Sequence, residues 1–199
     1  MTMTTHTQSQ TPAPASRPPF LVRRRTVFTW VVPLLLLIAV LMLRPQGGHA
    51  AWLAGVALVA LGEIVRFWAA GYISKDAAIA TGGPYAFVRN PLYFGSLLLS
   101  VGYGLVSGFG WAGVLVLVAL YLVFHLAAIF YEEKFLKAKF GQPYLDYLHR
   151  VPRLIPSPWP RTDGPGGFSW AQALKNREHI SALFALIFVA LLSLRFLVH

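Results

Sequence analysis

Apolar residues along this chain gather in five long runs that are separated by shorter polar segments. A helix of about 20 apolar residues crosses the roughly 30 Å hydrocarbon core of a bilayer. The pattern therefore predicts an all-α protein, a polytopic transmembrane helical bundle of about five membrane helices. The runs cover residues 26–43, 51–72, 91–106, 111–131 and 180–194.

The composition also favours a chain that is embedded in a lipid bilayer. Of its 199 residues, 56% are hydrophobic and 12% are charged, and the mean hydropathy is +0.59. An average soluble domain carries about 25% charged residues. The chain has no cysteine, which excludes disulfides, thiolate metal sites and thiol catalysis.

Positive charge decides the predicted orientation. The formal net charge is +10, but Lys and Arg flank the apolar runs and do not form the basic face of a nucleic-acid-binding protein. Cytoplasmic flanks of membrane helices carry such an excess. With five spans, the Lys and Arg residues that flank the runs fall on one side of the membrane, and only Arg44 and Arg195 fall on the other. We expect a multi-pass integral membrane protein, in the inner membrane if bacterial, with a cytosolic N-terminus; it contacts membrane lipid and binds no nucleic acid.

Segment boundaries follow from these changes in composition. Arg23 to Arg25, the first run and Gly48-His49-Ala50 also resemble a secretory signal with its cleavage site. A first membrane helix that is not cleaved off is the better interpretation. The first apolar run is long for a secretory signal, and the second apolar run follows it closely. The predicted segments are a disordered cytosolic tail over 1–22, two membrane helices over 23–72, a core over 73–156, a linker over 157–178 and a C-terminal membrane helix over 179–199.

Residues 81–93, with the sequence TGGPYAFVRNPLY, form the first of two unusual polar segments. Two glycines allow uncommon backbone angles or close approach of a ligand, and two prolines fix φ. We predict a rigid cytosolic loop that presents Tyr85, Arg89, Asn90 and Tyr93. The alternative is an interfacial turn with an aromatic belt and a snorkelling arginine.

The second polar segment begins at Glu132 and Glu133 and continues to residue 156. Adjacent helical residues point about 100° apart, so the two carboxylates cannot have the same role. One can face a site while the other faces water or a basic partner, as carboxylates at the edge of a membrane usually do. Simple pairing of both with Lys134 or Lys137 is the alternative.

Ionisable residues also occur inside the apolar runs. His125 lies seven residues before Glu132, with Tyr121 one turn further in, and Glu63 stands three residues before Arg66. Such groups indicate function by default. A histidine that is hydrogen-bonded between helices and a local Glu–Arg pair are the structural alternatives. The usual nucleotide-binding, metalloprotease and serine-hydrolase motifs are absent from the sequence, and we expect no metal.

With both segments in view, the chain resembles the isoprenylcysteine carboxyl methyltransferase and phospholipid methyltransferase family of integral membrane enzymes. The resemblance covers about residues 60–156. It is carried by GPYAFVRNPLY over residues 83–93, Glu132-Glu133, Phe140-Gly141, Tyr144, Tyr147 and Val151-Pro152-Arg153.

The resemblance implies S-adenosylmethionine as cofactor, S-adenosylhomocysteine as product and a cofactor pocket at the cytosolic face. Methyl displacement depends above all on alignment, and an amine or hydroxyl acceptor also needs a base, for which His125 and Glu133 are candidates. Arg153 is a third catalytic candidate, and Arg66 and Tyr121 are candidates for binding the acceptor. The implied cofactor-binding residues are Gly83, Pro84, Tyr85, Val88, Arg89, Asn90, Tyr93, Glu132, Tyr144 and Tyr147.

Two departures from the family pattern concern the ligands. Asn90 stands where the family often has His, and Ala127-Ala128-Ile129 stands where eukaryotic carboxyl methyltransferases have basic residues. We therefore expect a lipidic or apolar acceptor with an amine, thiol or other neutral group, in preference to a prenylcysteine carboxylate. The alternatives are a non-catalytic membrane scaffold and a membrane reductase or electron-transfer protein, although a single intramembrane His125 does not favour paired haem ligation.

Overall fold

The computed structural model describes residues 20–43, 45, 47–73, 79–164 and 167–194, with side chains from residue 31 onward. Most of the predicted N-terminal tail and the side chains of Arg23 to Arg25 lie outside the described residues. Within these ranges the chain forms seven α-helices and no strand, which confirms the all-α prediction. The helices are α1 Phe20–Leu43, α2 His49–Ala70, α3 Pro91–Val106, α4 Gly110–Phe140, α5 Gln142–Arg150, α6 Trp170–Lys175 and α7 Glu178–Ser193.

Two helices, α2 with 22 residues and α4 with 31, are long and apolar enough to cross a membrane. Residues 31–43 of α1, together with α3 and α7, are shorter apolar helices. Large apolar side chains point outward from the bundle, with 56% of Leu34, 61% of Leu53, 67% of Leu115 and 67% of Leu186 exposed. Such faces fit a hydrocarbon environment.

Helices α2 and α3 pack backbone to backbone because glycines meet in their interface. A Cβ atom on Gly55 would lie 2.7 Å from the carbonyl oxygen of Gly102, and one on Gly62 would lie 2.7 Å from that of Gly95. Small residues permit this close approach in membrane helices. The contact fixes the start of α3 against the end of α2, where both polar segments meet.

Helix α7 completes the bundle from the far end of the chain. Phe188 packs with Val40 of α1 and Val106 of α3 in one buried cluster. The indole nitrogen of Trp52 donates a hydrogen bond of 2.8 Å to Oγ of Ser193. The last apolar run is therefore part of the core, beside α1, α2 and α3.

Helix α4 continues nine residues beyond the apolar run that was predicted to end at residue 131. Gly141, with φ of 61°, ends the helix and allows α5 to begin at once. The chain then returns beneath the 79–90 loop, where the amides of Ser157 and Arg161 donate to the carbonyl oxygens of Phe87 and Ala86. The stretch predicted as a linker thus includes backbone contacts to the loop, and it also includes α6.

Candidate active site

The loop between α2 and α3 is shaped by Gly83 and Pro84. A short 3₁₀ helix occupies Gly83–Ala86. Gly83 has φ of 56°, and a Cβ there would collide with the ring of Tyr72, so glycine is required. Val88, near the end of the loop, is buried. These three predicted cofactor residues set the loop conformation and do not line the cavity described next.

A cavity of about 220 Å³, here called the polar cavity, opens between this loop, α4 and α5. On its α4 wall, sequence reasoning found Glu132 but missed Phe135, Leu136, Lys139 and Phe140, although their spacing from Glu132 marks one helical face. The other seven predicted cofactor residues all line the cavity: Tyr85, Arg89, Asn90, Tyr93, Glu132, Tyr144 and Tyr147.

The two adjacent glutamates of α4 have different surroundings. Glu132 faces the polar cavity and accepts a hydrogen bond of 2.8 Å from the hydroxyl of Tyr93. Glu133 is only 3% exposed and turns towards two arginines. Its Oε2 accepts from Nη2 of Arg153 at 3.1 Å, and its Oε1 lies 3.6 Å from Nη2 of Arg89. Of the two glutamates, only Glu132 lines the cavity.

Arg89 lies in the cavity wall, and one of its N–H donors has no partner among the described residues. Its side chain is 10% exposed, and Nε has no hydrogen-bond partner among the residues that the structure describes. A buried donor without a partner is costly, so this position fits an anionic group. Asn90 is oriented by a hydrogen bond of 3.0 Å from Nδ2 to the carbonyl oxygen of Arg153.

Three buried tyrosines, Tyr85, Tyr144 and Tyr147, line the polar cavity. The hydroxyl of Tyr147 donates to the carbonyl oxygen of Tyr85 at 2.8 Å. Burial raises the pKa of Tyr144 to about 12, and burial also raises the pKa values of Tyr85 and Tyr147. All three hydroxyls are therefore neutral at physiological pH, and the single O–H of Tyr147 is already donated to the carbonyl oxygen of Tyr85.

A second cavity of about 200 Å³, here called the membrane cavity, lies within the bundle between α1, α2, α3, α4 and α7. Arg66, Tyr121 and His125, three of the residues predicted from sequence, line it. The end nearest the start of α3 is polar, and the remainder is mainly apolar. The apolar lining includes Pro33, Leu36, Leu99, Leu117, Phe184 and Phe188.

An ion cluster occupies the polar end of the membrane cavity. Arg66 donates to Oγ of Ser96 at 2.6 Å and to Oε2 of Glu178 at 2.9 Å. Its Nε lies 3.8 Å from Oε2 of Glu63, and Oγ of Ser181 donates to the other oxygen of Glu63 at 3.1 Å. Glu63 and Arg66 therefore form a local ion pair and also line the same cavity.

Tyr93 separates the two cavities. Its hydroxyl binds Glu132 in the polar cavity, while its carbonyl oxygen accepts a 2.7 Å hydrogen bond from the hydroxyl of Tyr121. The ring of Tyr93 lies edge-on to His125 with 5.8 Å between centroids, and His125 stacks on Tyr121 at 4.4 Å. Residues from the lining of each cavity thus meet at Tyr93.

Comparison with known proteins matches a region that contains part of this site. Residues 48–143 match the family model described as phospholipid methyltransferase. The predicted family resemblance is confirmed. The matched region holds α2, the loop, α3 and the glutamate pair, whereas Tyr144, Tyr147, Arg153 and α7 lie beyond it.

Three relatives share substantial stretches with the chain. The cobalt-zinc-cadmium resistance protein CzcN of Cupriavidus metallidurans is 34% identical over 130 residues, which cover 64% of this chain and 52% of CzcN. The protein-S-isoprenylcysteine O-methyltransferase of Schizosaccharomyces pombe is 30% identical over 105 residues, covering 53% and 44% of the two chains. Protein-S-isoprenylcysteine O-methyltransferase B of Arabidopsis thaliana is 27% identical over 150 residues, covering 68% and 76%.

The chain spans about half the length of the first two of these relatives. No solved structure matches the chain. Within the described ranges, no three His, Asp or Glu side chains gather as they would around a metal ion.

Proposed function

We propose that the chain is an integral membrane methyltransferase that uses S-adenosylmethionine to methylate a lipidic or apolar acceptor. The observation that carries this proposal is the meeting of two cavities at Tyr93. One cavity lies between the loop, α4 and α5 and includes Arg89 and Glu132, and the other lies inside the helical bundle and combines an ion cluster with an apolar remainder. A charged cofactor and an amphipathic acceptor can thus approach each other from opposite sides. The family match and the isoprenylcysteine-methylating relatives agree with this chemistry.

The residues of the polar cavity fit the cofactor's charged groups. Arg89, with its unpaired Nε, suits a carboxylate, and Glu132 suits an ammonium group. The bound cofactor supplies a methyl group on a positively charged sulfur. The protein's contribution is to bind, to orient and to exclude water, which dominates in reactions that depend on alignment.

The catalytic candidates have separate roles in this proposal. His125 contacts Tyr93 at the boundary between the cavities, where it can accept a proton from an amine or hydroxyl acceptor. Glu133 is engaged by two arginines, so we assign it with Arg153 to positioning Arg89. Arg66 and Tyr121 would contact the acceptor from the polar end of the membrane cavity.

The proposed topology has five membrane spans and places the polar cavity on the cytosolic side. The excess of Lys and Arg at this end of the bundle supports it. We expect reporter fusions to place the N-terminus in the cytosol and His199 outside. A cytosolic signal from a fusion at His199 would contradict the number of spans.

Binding of S-adenosylhomocysteine is the direct test of the cofactor site. The full chain in detergent is expected to bind it in calorimetry, and Glu132→Gln is expected to bind about tenfold to hundredfold more weakly, because one charge-assisted contact is lost. Asp146→Asn, which alters an exposed carboxylate bonded to Gln142, is the matched control and should bind like wild type.

Absence of binding by the wild-type chain would refute the methyltransferase proposal and leave the scaffold and reductase alternatives. Equal weakening in Glu132→Gln and Asp146→Asn would show that charge alone, and not the cavity contact, controls affinity.

A further inference from the structure

A third concavity, here called the basic groove, lies on the outer side of the segment that follows α5. It has a volume of about 500 Å³ and is lined by Arg89, His149, Arg150 and Arg161 together with several prolines. Among the described residues that line it, no carboxylate is present. The groove is therefore cationic, unlike the two cavities of the candidate active site.

Local contacts leave most of this positive charge uncompensated. Arg161 donates Nε to the neutral hydroxyl of Ser157 at 2.8 Å. Arg150 is exposed at the end of α5. The nearby Glu133 is already shared between Arg89 and Arg153. An anion in the groove would meet Arg150 and Arg161 without first displacing a carboxylate from either.

The groove is also preformed. Pro152, Pro156 and Pro158 in its wall restrict φ. The amide of Arg89 donates to the carbonyl oxygen of Pro152 at 2.9 Å, and the amide of Arg161 donates to that of Ala86 at 2.8 Å. A rigid groove loses little conformational entropy when it binds a ligand.

The same segment exposes two large apolar side chains beside the arginines. Ile155 is 75% exposed and Trp159 is 73% exposed. Tryptophan with flanking arginine is typical of the membrane–water interface, where the ring contacts the headgroup region and the cation reaches a phosphate. Exposed apolar side chains in this segment are not needed to bind a phosphate ion from solution.

We propose that the basic groove binds the phosphate headgroup of an anionic membrane phospholipid, with Ile155 and Trp159 entering the adjacent interface. This site is separate from cofactor and acceptor binding, although Arg89 lies in the wall shared with the polar cavity. The segment 149–161 would thus anchor the closing wall of the active site to the membrane surface.

Native mass spectrometry of the full chain in detergent tests the proposal, with phosphatidylglycerol and phosphatidylcholine of identical acyl chains as probes. We expect wild type to retain one phosphatidylglycerol in preference to phosphatidylcholine. The double variant Arg150→Ala, Arg161→Ala should lose that preference by roughly thirtyfold, since each arginine near an anionic surface contributes about a fivefold factor. The variant Trp159→Ser should weaken binding of both lipids.

The matched control is Lys134→Ala, Lys137→Ala, which removes the same charge from exposed positions of α4. Equal loss in this control would overturn the site, because binding would then follow net charge. Inorganic phosphate that displaces the lipid, with no effect of Trp159→Ser, would identify a phosphate-ion site and also overturn the proposal. Thermal unfolding verifies that each variant is folded, and S-adenosylhomocysteine binding, measured separately, reports on the proposed function alone.

Discussion

Replacing Glu133 by alanine is expected to lower the stability of the protein by about 3 kcal/mol or more. Removing one partner of a buried ion pair leaves the other charge uncompensated, which typically costs about 3–5 kcal/mol. Arg89 is 10% exposed and would bear this cost, whereas Arg153 is 40% exposed and can be hydrated. We therefore expect a value near the lower limit.

The measurement is thermal unfolding of the full chain in one detergent. For a chain of this size about 3 kcal/mol corresponds to a fall in Tm of roughly 6–12 °C. Lys134→Ala, at the exposed neighbouring position, is the matched control and should change Tm little. Glu133→Gln should lie between the two, because the amide retains one acceptor for Arg153. A Tm of Glu133→Ala equal to that of the control would contradict the role of Glu133 as the bridge between two arginines.

Helix positions were predictable where the hydrophobic pattern coincides with residues that start or end a helix. The third run was predicted over 91–106, and α3 occupies Pro91–Val106, because Pro91 marks the first turn and Ser107-Gly108 ends it. The end of α4 was not predictable from hydropathy. Its last nine residues are polar and amphipathic, and helix continuation there depends on α5 and the loop packing against them.

Local geometry predicted the different environments of the glutamates but not their partners. The angle between adjacent helical positions is intrinsic to Glu132 and Glu133. The pairing of Glu133 with Arg89 and Arg153 depends on how three separate segments fold together. Likewise, Arg66 meets Glu178 across 112 residues of sequence, and no local pattern indicates that contact.

The charges at the polar end of the membrane cavity lead to the second large prediction, which concerns the acceptor. Within the described part of the chain this end holds Glu63 and Glu178 against the single guanidinium of Arg66. The cluster therefore has one more negative than positive charge. A carboxylate acceptor would add another negative charge to it. Ala128, in the turn where the carboxyl methyltransferases that the chain resembles have basic residues, is fully buried and adds no positive charge.

We therefore expect an acceptor with an amine or thiol head to be methylated at least about a hundredfold more efficiently than a carboxylate with the same tail, because placing like charges together in a desolvated site costs several kcal/mol. Competition between a farnesylcysteine analogue, farnesylamine and farnesylthiol in one detergent measures the ratio. Glu63→Gln should narrow the discrimination by removing one negative charge, whereas Ser100→Ala, in the wall of the same cavity, should leave it unchanged. Preferential methylation of the farnesylcysteine analogue would refute the prediction, and loss of that activity in Arg66→Ala or Arg153→Ala would then identify the cation that binds its carboxylate.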